Sequence, residues 1–277
     1  MSELFFTEEQ TPNVRFSLRV RERLLTQQTP YQLLEVLATE EFGNLMALDG
    51  KVMLTERDEM YYHEMLAHPA LLSHPLPRRV LVIGGGDGGT VREVLRHPTI
   101  EEVLWCEIDE AVIDAAREFF PTVCAGVFDD ARVQLHVLPG ETLMAKLAHE
   151  MDVILVDSTD PIGPAVPLFE APFFAACQRA LRAGGSYATQ SGSPFYFRAE
   201  GQAVARHLRR VFRHLRRYWG MMPTYPSGVW SYALASDEPL TVTHEEIARR
   251  YAARGLRLSY YTPEIHAASA VIPPLLQ

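Results

Sequence analysis

Apolar and polar side chains alternate over much of the first 56 residues, as they do in β-strands. An apolar residue stands at every second position of residues 14–20 (VRFSLRV), which predicts a half-buried strand. Residues 31–37 form a second candidate strand. Residues 45–54 (LMALDGKVML) predict a β-hairpin, because Asp-Gly between two apolar runs favours a tight turn. We therefore predict a small antiparallel β domain over residues 1–56.

From residue 57 onwards, helical patterns alternate with short apolar runs. Residues 58–68 (DEMYYHEMLAH) have helical periodicity, and helical segments follow several of the apolar runs. Strands that alternate with helices join through right-handed crossovers into a parallel sheet. We therefore predict a mostly parallel α/β domain over residues 57–277, with strands at 80–83, 103–106, 133–137, 153–156 and 186–190.

Charge narrows the range of possible functions. Asp and Glu number 35 against 26 Lys and Arg, which gives a net charge of −9. Such a surface repels the phosphates of nucleic acid and attracts a cationic substrate. Residues 207–219 are basic and amphipathic, and we interpret them as a helix with a solvated Arg face that runs into a strand.

Other features indicate the compartment. The three cysteines lack the spacing of a zinc site or a disulfide framework, which is typical of buried thiols in a reducing environment. No apolar run is long enough to span a bilayer, and the first ten residues lack the basic and apolar segments of a secretion signal. We expect a cytoplasmic protein that binds neither membranes nor nucleic acid.

A glycine-rich loop and an acidic strand end follow one another at the start of the α/β domain. Residues 84–89 (GGGDGG) come between a strand and a helix, where glycines permit a tight turn and the close approach of a ligand. Asp87 in this loop would repel a pyrophosphate and attract an ammonium or sulfonium group. Glu107 ends the next strand, about 20 residues later, where an acid suits the hydroxyls of a ribose. We interpret Asp109 as a helix cap.

Residues 157–164 (DSTDPIGP) are the most specific segment. Asp157 and Asp160 follow an apolar strand, so they should lie at the same sheet edge as Asp87 and Glu107. The loop continues through prolines and a glycine to Phe169 and resembles a lid. Four carboxylates with no Lys or Arg in these segments predict a site for a polycation.

In this combination the sequence resembles the polyamine aminopropyltransferases, the spermidine synthase family. Matching motifs occur in family order from residue 31 to 232, and the pair 82–89 (VIGGGDGG) with 157–165 (DSTDPIGPA) is highly specific. The resemblance implies a small N-terminal β domain and a Rossmann-like domain of the methyltransferase type, with helices on both faces of its sheet. It implies transfer of the aminopropyl group of decarboxylated S-adenosylmethionine to putrescine, giving spermidine and methylthioadenosine. The enzyme would be a homodimer or homotetramer without a metal or other cofactor.

The resemblance also implies roles for individual residues, with Asp157 as the proton acceptor. The residues at family positions on the donor and methylthioadenosine side are Gln32, Asp87, Glu107, Pro139, Gly140 and Pro164. Family positions on the polyamine side match Tyr62, His63, Asp87, Asp157, Ser158, Thr159, Asp160 and Tyr225.

Elementary chemistry agrees with this division of roles. An amine with a pKa near ~10 is mostly protonated at pH 7, and exposing its lone pair costs about 4 kcal/mol. Carboxylates alone raise that cost because they favour the ammonium. The site must therefore hold the remote ammonium groups while one carboxylate, which we assign to Asp157, accepts the proton of the attacking nitrogen.

The sequence departs from the family where the adenine is held. The family has an Asp-Gly pair there, whereas this sequence has Pro139-Gly140, and a proline side chain accepts no hydrogen bond. Either Glu141 replaces the missing acid or backbone and apolar contacts alone hold the adenine. We expect the second, because Glu141 suits the start of a helix predicted over residues 142–150.

Other functions stay open on the sequence alone. The acceptor could instead be agmatine, cadaverine or spermidine, all of which are cations. A small-amine methyltransferase would share the fold, but four acids would repel the carboxylate of S-adenosylmethionine. A non-catalytic polyamine-binding protein is a further alternative, against which Asp157, Asp160 and Tyr62 together argue.

Overall fold

The structure, a computed structural model, describes residues 4–161 and 163–273. Its amino-terminal part is an antiparallel sheet whose five strands are neighbours in chain order. The predicted hairpin is confirmed: Asp49 and Gly50 have φ values of 49° and 73°, as a two-residue turn of this kind requires. The strands are β1 (Leu4–Thr11), β2 (Val14–Gln28), β3 (Leu33–Thr39), β4 (Asn44–Leu48) and β5 (Lys51–Thr55).

A second sheet of seven strands follows, in the order β11-β12-β10-β9-β6-β7-β8. The strands β6 to β10 are parallel, and β11 and β12 form an antiparallel edge. All five strands predicted for this part lie within β6 to β10. The bounds are β6 (Arg79–Gly84), β7 (Glu102–Glu107), β8 (Val133–Val137), β9 (Met151–Asp157), β10 (Leu181–Gln190), β11 (His214–Met221) and β12 (Val229–Ser236).

Helices connect these strands. The amphipathic segment 207–219 is divided as expected, because a helix ends at Val211 and β11 begins at His214. The α-helices of the described residues are α1 (Glu59–Ser73), α2 (Gly89–Leu95), α3 (Glu110–Phe119), α4 (Gly140–Met144), α5 (Ala171–Ala180), α6 (Arg198–Val211), α7 (His244–Ala253) and α8 (Pro263–Ser269). Two 3-10 helices are Gly163–Phe169 and Pro226–Gly228.

The helix predicted over 142–150 is wrong in extent. It begins at Gly140 and ends at Met144. The backbone amides of His149 and Glu150 donate instead to the carbonyls of Arg179 and Ala180, both at 2.8 Å. The approach to β9 is therefore tied to the end of α5 and does not continue the helix.

Alternation along the central strands covers both faces of the second sheet. Val80 and Val82 contact the core that includes α1, α2 and α7, whereas Leu81 and Ile83 contact the core that includes α4, α5 and α6. Helices thus lie on both faces, as predicted. The first sheet packs on α3, which follows the carboxyl end of β7, and so it lies beside the carboxyl edge of the second sheet. None of the helices in the described ranges has both the length and the apolar character needed to cross a bilayer.

Candidate active site

A cavity of about 700 Å³ lies at the carboxyl ends of β6, β7, β9 and β10, where the two sheets meet. The chain order of the second sheet reverses between β6 and β9, which is where ligands bind in open α/β sheets. Every predicted site residue except Pro139 lines this cavity. The carboxylate side chains of its described lining belong to Glu8, Asp49, Asp87, Glu107, Glu141, Asp157, Asp160 and Glu200.

Glycines allow the acidic groups to converge. Gly84 has a φ of 79°, and a Cβ atom there would lie 2.0 Å from the carbonyl oxygen of Asp157. The amide of Gly85 donates to the same carbonyl at 2.7 Å. A Cβ atom on Gly89 would lie 2.3 Å from the imidazole of His63. Glycines without a Cβ atom therefore allow β9 and α1 to pack directly against this loop.

His63 lies between two carboxylates. Its Nε2 is 3.2 Å from Asp87 Oδ1, and its Nδ1 is 2.6 Å from Glu59 Oε2. Arg92 holds Glu59 from the other side, with both contacts at 2.9 Å. Burial opposes protonation of His63, but Asp87 and Glu59 outweigh it and raise the pKa of the imidazole well above its usual value. Burial likewise favours neutral Asp87, yet His63 outweighs it and lowers the pKa of that carboxyl, so the pair is ionic.

Asp157 is adjacent to this pair, and its pKa is shifted in the direction opposite to that of Asp87. Facing ligand atoms of His63, Asp87 and Asp157 lie within 4.8 Å of one another. Burial and then the charge of Asp87 raise the pKa of Asp157 from its ordinary 3.8 to about 6. Thr90 donates its hydroxyl to Asp157 Oδ2 at 2.6 Å, and this bond limits the rise. At pH 7 and above, Asp157 is mostly ionised and can accept a proton.

Glu107 and Gln32 lie together at another part of the cavity. Glu107 Oε1 accepts hydrogen bonds from the amides of Ile108 at 2.7 Å and Asp109 at 2.9 Å. Burial raises the pKa of Glu107 to about 7. Asp109 caps α3 as expected, accepting from Ala111 at 3.2 Å, and its other oxygen accepts from the Gln32 amide at 3.0 Å. Asp109 thus links Gln32 and Glu107, and both residues line the cavity.

Aromatic side chains form a second wall. The rings of Tyr62 and Tyr225 have centroids 5.7 Å apart, and Tyr225 is 4.7 Å from Trp230. The Tyr225 hydroxyl donates to the carbonyl of Met53 in β5. Rings in this position can contact the methylene chain and the ammonium groups of an amine.

Long hydrogen bonds from Gln190 contact the acidic loop that follows β9. The Gln190 amide donates at 3.4 Å to the carbonyls of Ser158 and Thr159 and to the carboxylate of Asp160. The Ser158 hydroxyl is buried and has no hydrogen-bond partner among the described residues. Pro164 is exposed in the 3-10 helix and also lines the cavity, whereas Ile162 lies outside the described residues.

At the position where the sequence departs from the family, only some of the residues reach the cavity. Pro139 precedes α4 and is not part of the cavity lining, whereas Gly140 and Glu141 line it. Gly140 lies close to Ile83: a Cβ atom added to Gly140 would be 2.9 Å from the Ile83 side chain. Glu141 is in the first turn of α4, as expected, and it also borders the cavity.

Several residues of the site escaped the sequence analysis. Glu59 precedes His63 by one helical turn, so the predicted helix 58–68 could have revealed it. Thr90 directly follows the glycine loop, and Arg92 lies one turn beyond Gly89. Glu8, in the unpredicted strand β1, had no such pattern to reveal it.

Two family models match the chain. One describes the spermine/spermidine synthase domain and matches residues 59–245, and the other describes the spermidine synthase tetramerisation domain and matches residues 4–56. The chain belongs to the spermine/spermidine synthase family. It is similar to the polyamine aminopropyltransferase of Bacillus subtilis (strain 168), with 42% identity over 275 residues, 99% of this chain and 97% of the relative. The polyamine aminopropyltransferase of Thermoanaerobacter sp. (strain X514) is 41% identical over 99% of this chain and 98% of its own.

Solved structures of spermidine synthases have the same fold. One, in complex with the transition-state analogue AdoDATO, has a TM-score of 0.95 and 37% identity, covering 100% of this chain and 94% of that chain. The spermidine synthase of Thermotoga maritima has a TM-score of 0.93 with the same identity and coverage. The predicted fold class and family are therefore confirmed, and the chain is an aminopropyltransferase. The roles of individual site residues and the boundary at residue 56 stay predictions.

Proposed function

We propose that this aminopropyltransferase transfers the aminopropyl group of decarboxylated S-adenosylmethionine to putrescine, giving spermidine and methylthioadenosine. The observation that carries the proposal is the contrast between two adjacent acids in one cavity. Asp87 is kept ionised by His63, whereas the pKa of Asp157 is raised to about 6. One acid is thus suited to hold a cation and the other to exchange a proton.

The proposed step is a direct displacement. The lone pair of a neutral acceptor amine attacks the carbon of the aminopropyl arm that is attached to sulfur. The carbon–sulfur bond breaks, and its electron pair stays on sulfur as the thioether of methylthioadenosine. The new carbon–nitrogen bond makes the nitrogen more acidic, and its proton passes to Asp157.

The rest of the site serves alignment in this proposal. Asp87 holds the ammonium of the donor's aminopropyl arm, and Glu107 with Gln32 receives the nucleoside end. Tyr62, Tyr225 and Asp160 face the acceptor amine. A sulfonium is already a good leaving group, so correct placement for in-line attack supplies much of the acceleration. We expect no metal or other cofactor to be needed, because no step requires a Lewis acid or a redox change.

Putrescine is the proposed acceptor because it is the amine that yields spermidine, the product after which the similar solved enzymes are named. The test is product analysis with decarboxylated S-adenosylmethionine and a panel of putrescine, cadaverine, agmatine and spermidine. We expect putrescine to have the highest kcat/KM and to give spermidine and methylthioadenosine in equal amounts. A higher kcat/KM for another amine would replace putrescine as the acceptor.

A parallel reaction with S-adenosylmethionine separates the remaining alternatives. Methylated amine would identify a methyltransferase, and tight amine binding without turnover of either donor would identify a binding protein. We also propose a homo-oligomer, either a dimer or a tetramer. The match of residues 4–56 to a tetramerisation domain and the exposed apolar side chains of Leu4 and Phe5 support it.

A further inference from the structure

Lys51 is an unusual member of an acidic cavity. It is the one Lys or Arg that lines the cavity within residues 4–161 and 163–273. Its ammonium lies 3.8 Å from the carboxylate of Glu8, which is buried in β1. The same ammonium donates to the carbonyl of Glu9, and the Lys51 side chain keeps 39% of its surface exposed. A resident cation therefore occupies a place where substrate cations are expected.

The surroundings place Lys51 on the acceptor side. It begins β5, and the carbonyl of Met53 in that strand accepts the hydroxyl of Tyr225. Burial raises the pKa of Asp160, and the positive charge of Lys51 counteracts that rise. Burial also raises the pKa of Glu8; the charge of Lys51 counteracts this rise, and the charge of Asp160 adds to it. Lys51, Glu8 and Asp160 thus form one electrostatic cluster in the lining of the cavity.

We infer that Lys51 is a specificity-determining residue that restricts the acceptor to diamines by neutralising Glu8 and repelling a further ammonium group. The inference rests on the proposed function. With the donor bound, its aminopropyl arm fills the Asp87 side, so a triamine acceptor must extend its third ammonium elsewhere. The carboxylates of Glu8 and Asp160 attract that ammonium, which there meets the positive charge of Lys51, whereas a diamine ends before it.

The test compares spermidine with putrescine as acceptors at saturating decarboxylated S-adenosylmethionine. In Lys51→Met the ratio of kcat/KM for spermidine to that for putrescine should rise about fivefold, the effect of one partly solvated charge pair. Lys51→Arg keeps the charge and should keep the wild-type ratio. Lys146→Met is the matched control, because Lys146 is the other lysine of the chain and is exposed outside the cavity.

If spermidine turnover is too slow to measure, its inhibition constant against putrescine gives the same comparison. An unchanged ratio in Lys51→Met, or an equal rise in Lys146→Met, would overturn the inference and leave the proposed function intact. If the wild type aminopropylates no amine, the proposed function fails instead. Calorimetric titration of both amines into the donor-saturated protein then still measures the effect of Lys51.

Discussion

Replacing Asp157 by Asn should nearly abolish turnover and, at the same time, stabilise the fold. Asn has the same size and its oxygen can still accept the hydrogen bond from Thr90. It cannot accept a proton from the amine, so we expect kcat to fall by about two to four orders of magnitude. The gain in stability follows from the environment that makes Asp157 useful.

The sign and size of that gain follow from the pKa. Burial and Asp87 raise the pKa of Asp157 from 3.8 to about 6. Between these values the folded state binds more protons than the unfolded state, so the free energy of unfolding decreases as pH rises. Above the folded pKa the full cost applies, and at ~1.36 kcal/mol per unit its upper limit is about 3 kcal/mol. Water in the open cavity reduces this, and we expect Asp157→Asn to stabilise by about 1–3 kcal/mol at pH 8.

The assay is denaturant unfolding of the ligand-free protein at pH 5 and pH 8, together with kcat. The gain at pH 5 should be about half of that at pH 8, because Asp157 is then largely protonated in the folded state. Asp87→Asn is the matched control and should be destabilising, since His63 holds that carboxylate ionised. If Asp157→Asn keeps more than half of the wild-type turnover, Asp157 is not the base. No gain at pH 8 would refute the argument from its environment.

Three further predictions concern the ligands. Asp87→Asn should weaken binding of decarboxylated S-adenosylmethionine but barely change that of methylthioadenosine, which lacks the ammonium; equal losses in calorimetry would indicate a structural role. Residues 158–161 and 163–169 should gain hydrogen-exchange protection when donor and amine bind, and unchanged exchange would contradict a closing lid. Wild type should prefer methylthioadenosine to methylthioinosine by less than about tenfold, ~1.4 kcal/mol. A larger preference that Glu141→Ala abolishes would identify Glu141 as the acid that replaces the missing one.

The sequence pattern predicted the parallel strands of the second sheet and the hairpin of the first, but it missed β1 and β12. The central strands of the second sheet are apolar because helices cover both faces, and the Asp-Gly hairpin has its own local code. Strand β1 escaped because Phe6 shares the buried face of this strand with polar side chains. Phe5 is exposed, whereas Glu8 and Gln10 point inward, and both line the cavity. A strand that contributes to a polar cavity lacks the apolar period by which strands are recognised.

The same distinction applies to the site. Asp87, Glu107 and Asp157 could be predicted because each lies at or just beyond the carboxyl end of a recognisable strand, and the topology brings those strand ends together. The contacts that hold these acids in place, such as that between Arg92 and Glu59, could not be predicted. The contact of Arg92 with Glu59 joins residues 33 positions apart, and it depends on how α1 packs against α2. Such a contact has no counterpart in local spacing.

The acidic cavity contains a conflict that the proposed mechanism must resolve. Carboxylates that bind ammonium groups also raise the pKa of the attacking nitrogen and so oppose its deprotonation. If all the acids were permanently ionised, binding would improve at the expense of the neutral amine. Here His63 fixes the charge of Asp87, whereas burial beside that charge leaves Asp157 with a pKa of about 6, closer to neutrality. The charge that holds the donor thereby makes its neighbour a better proton acceptor, and Lys51 limits the attraction of cations near Glu8 and Asp160.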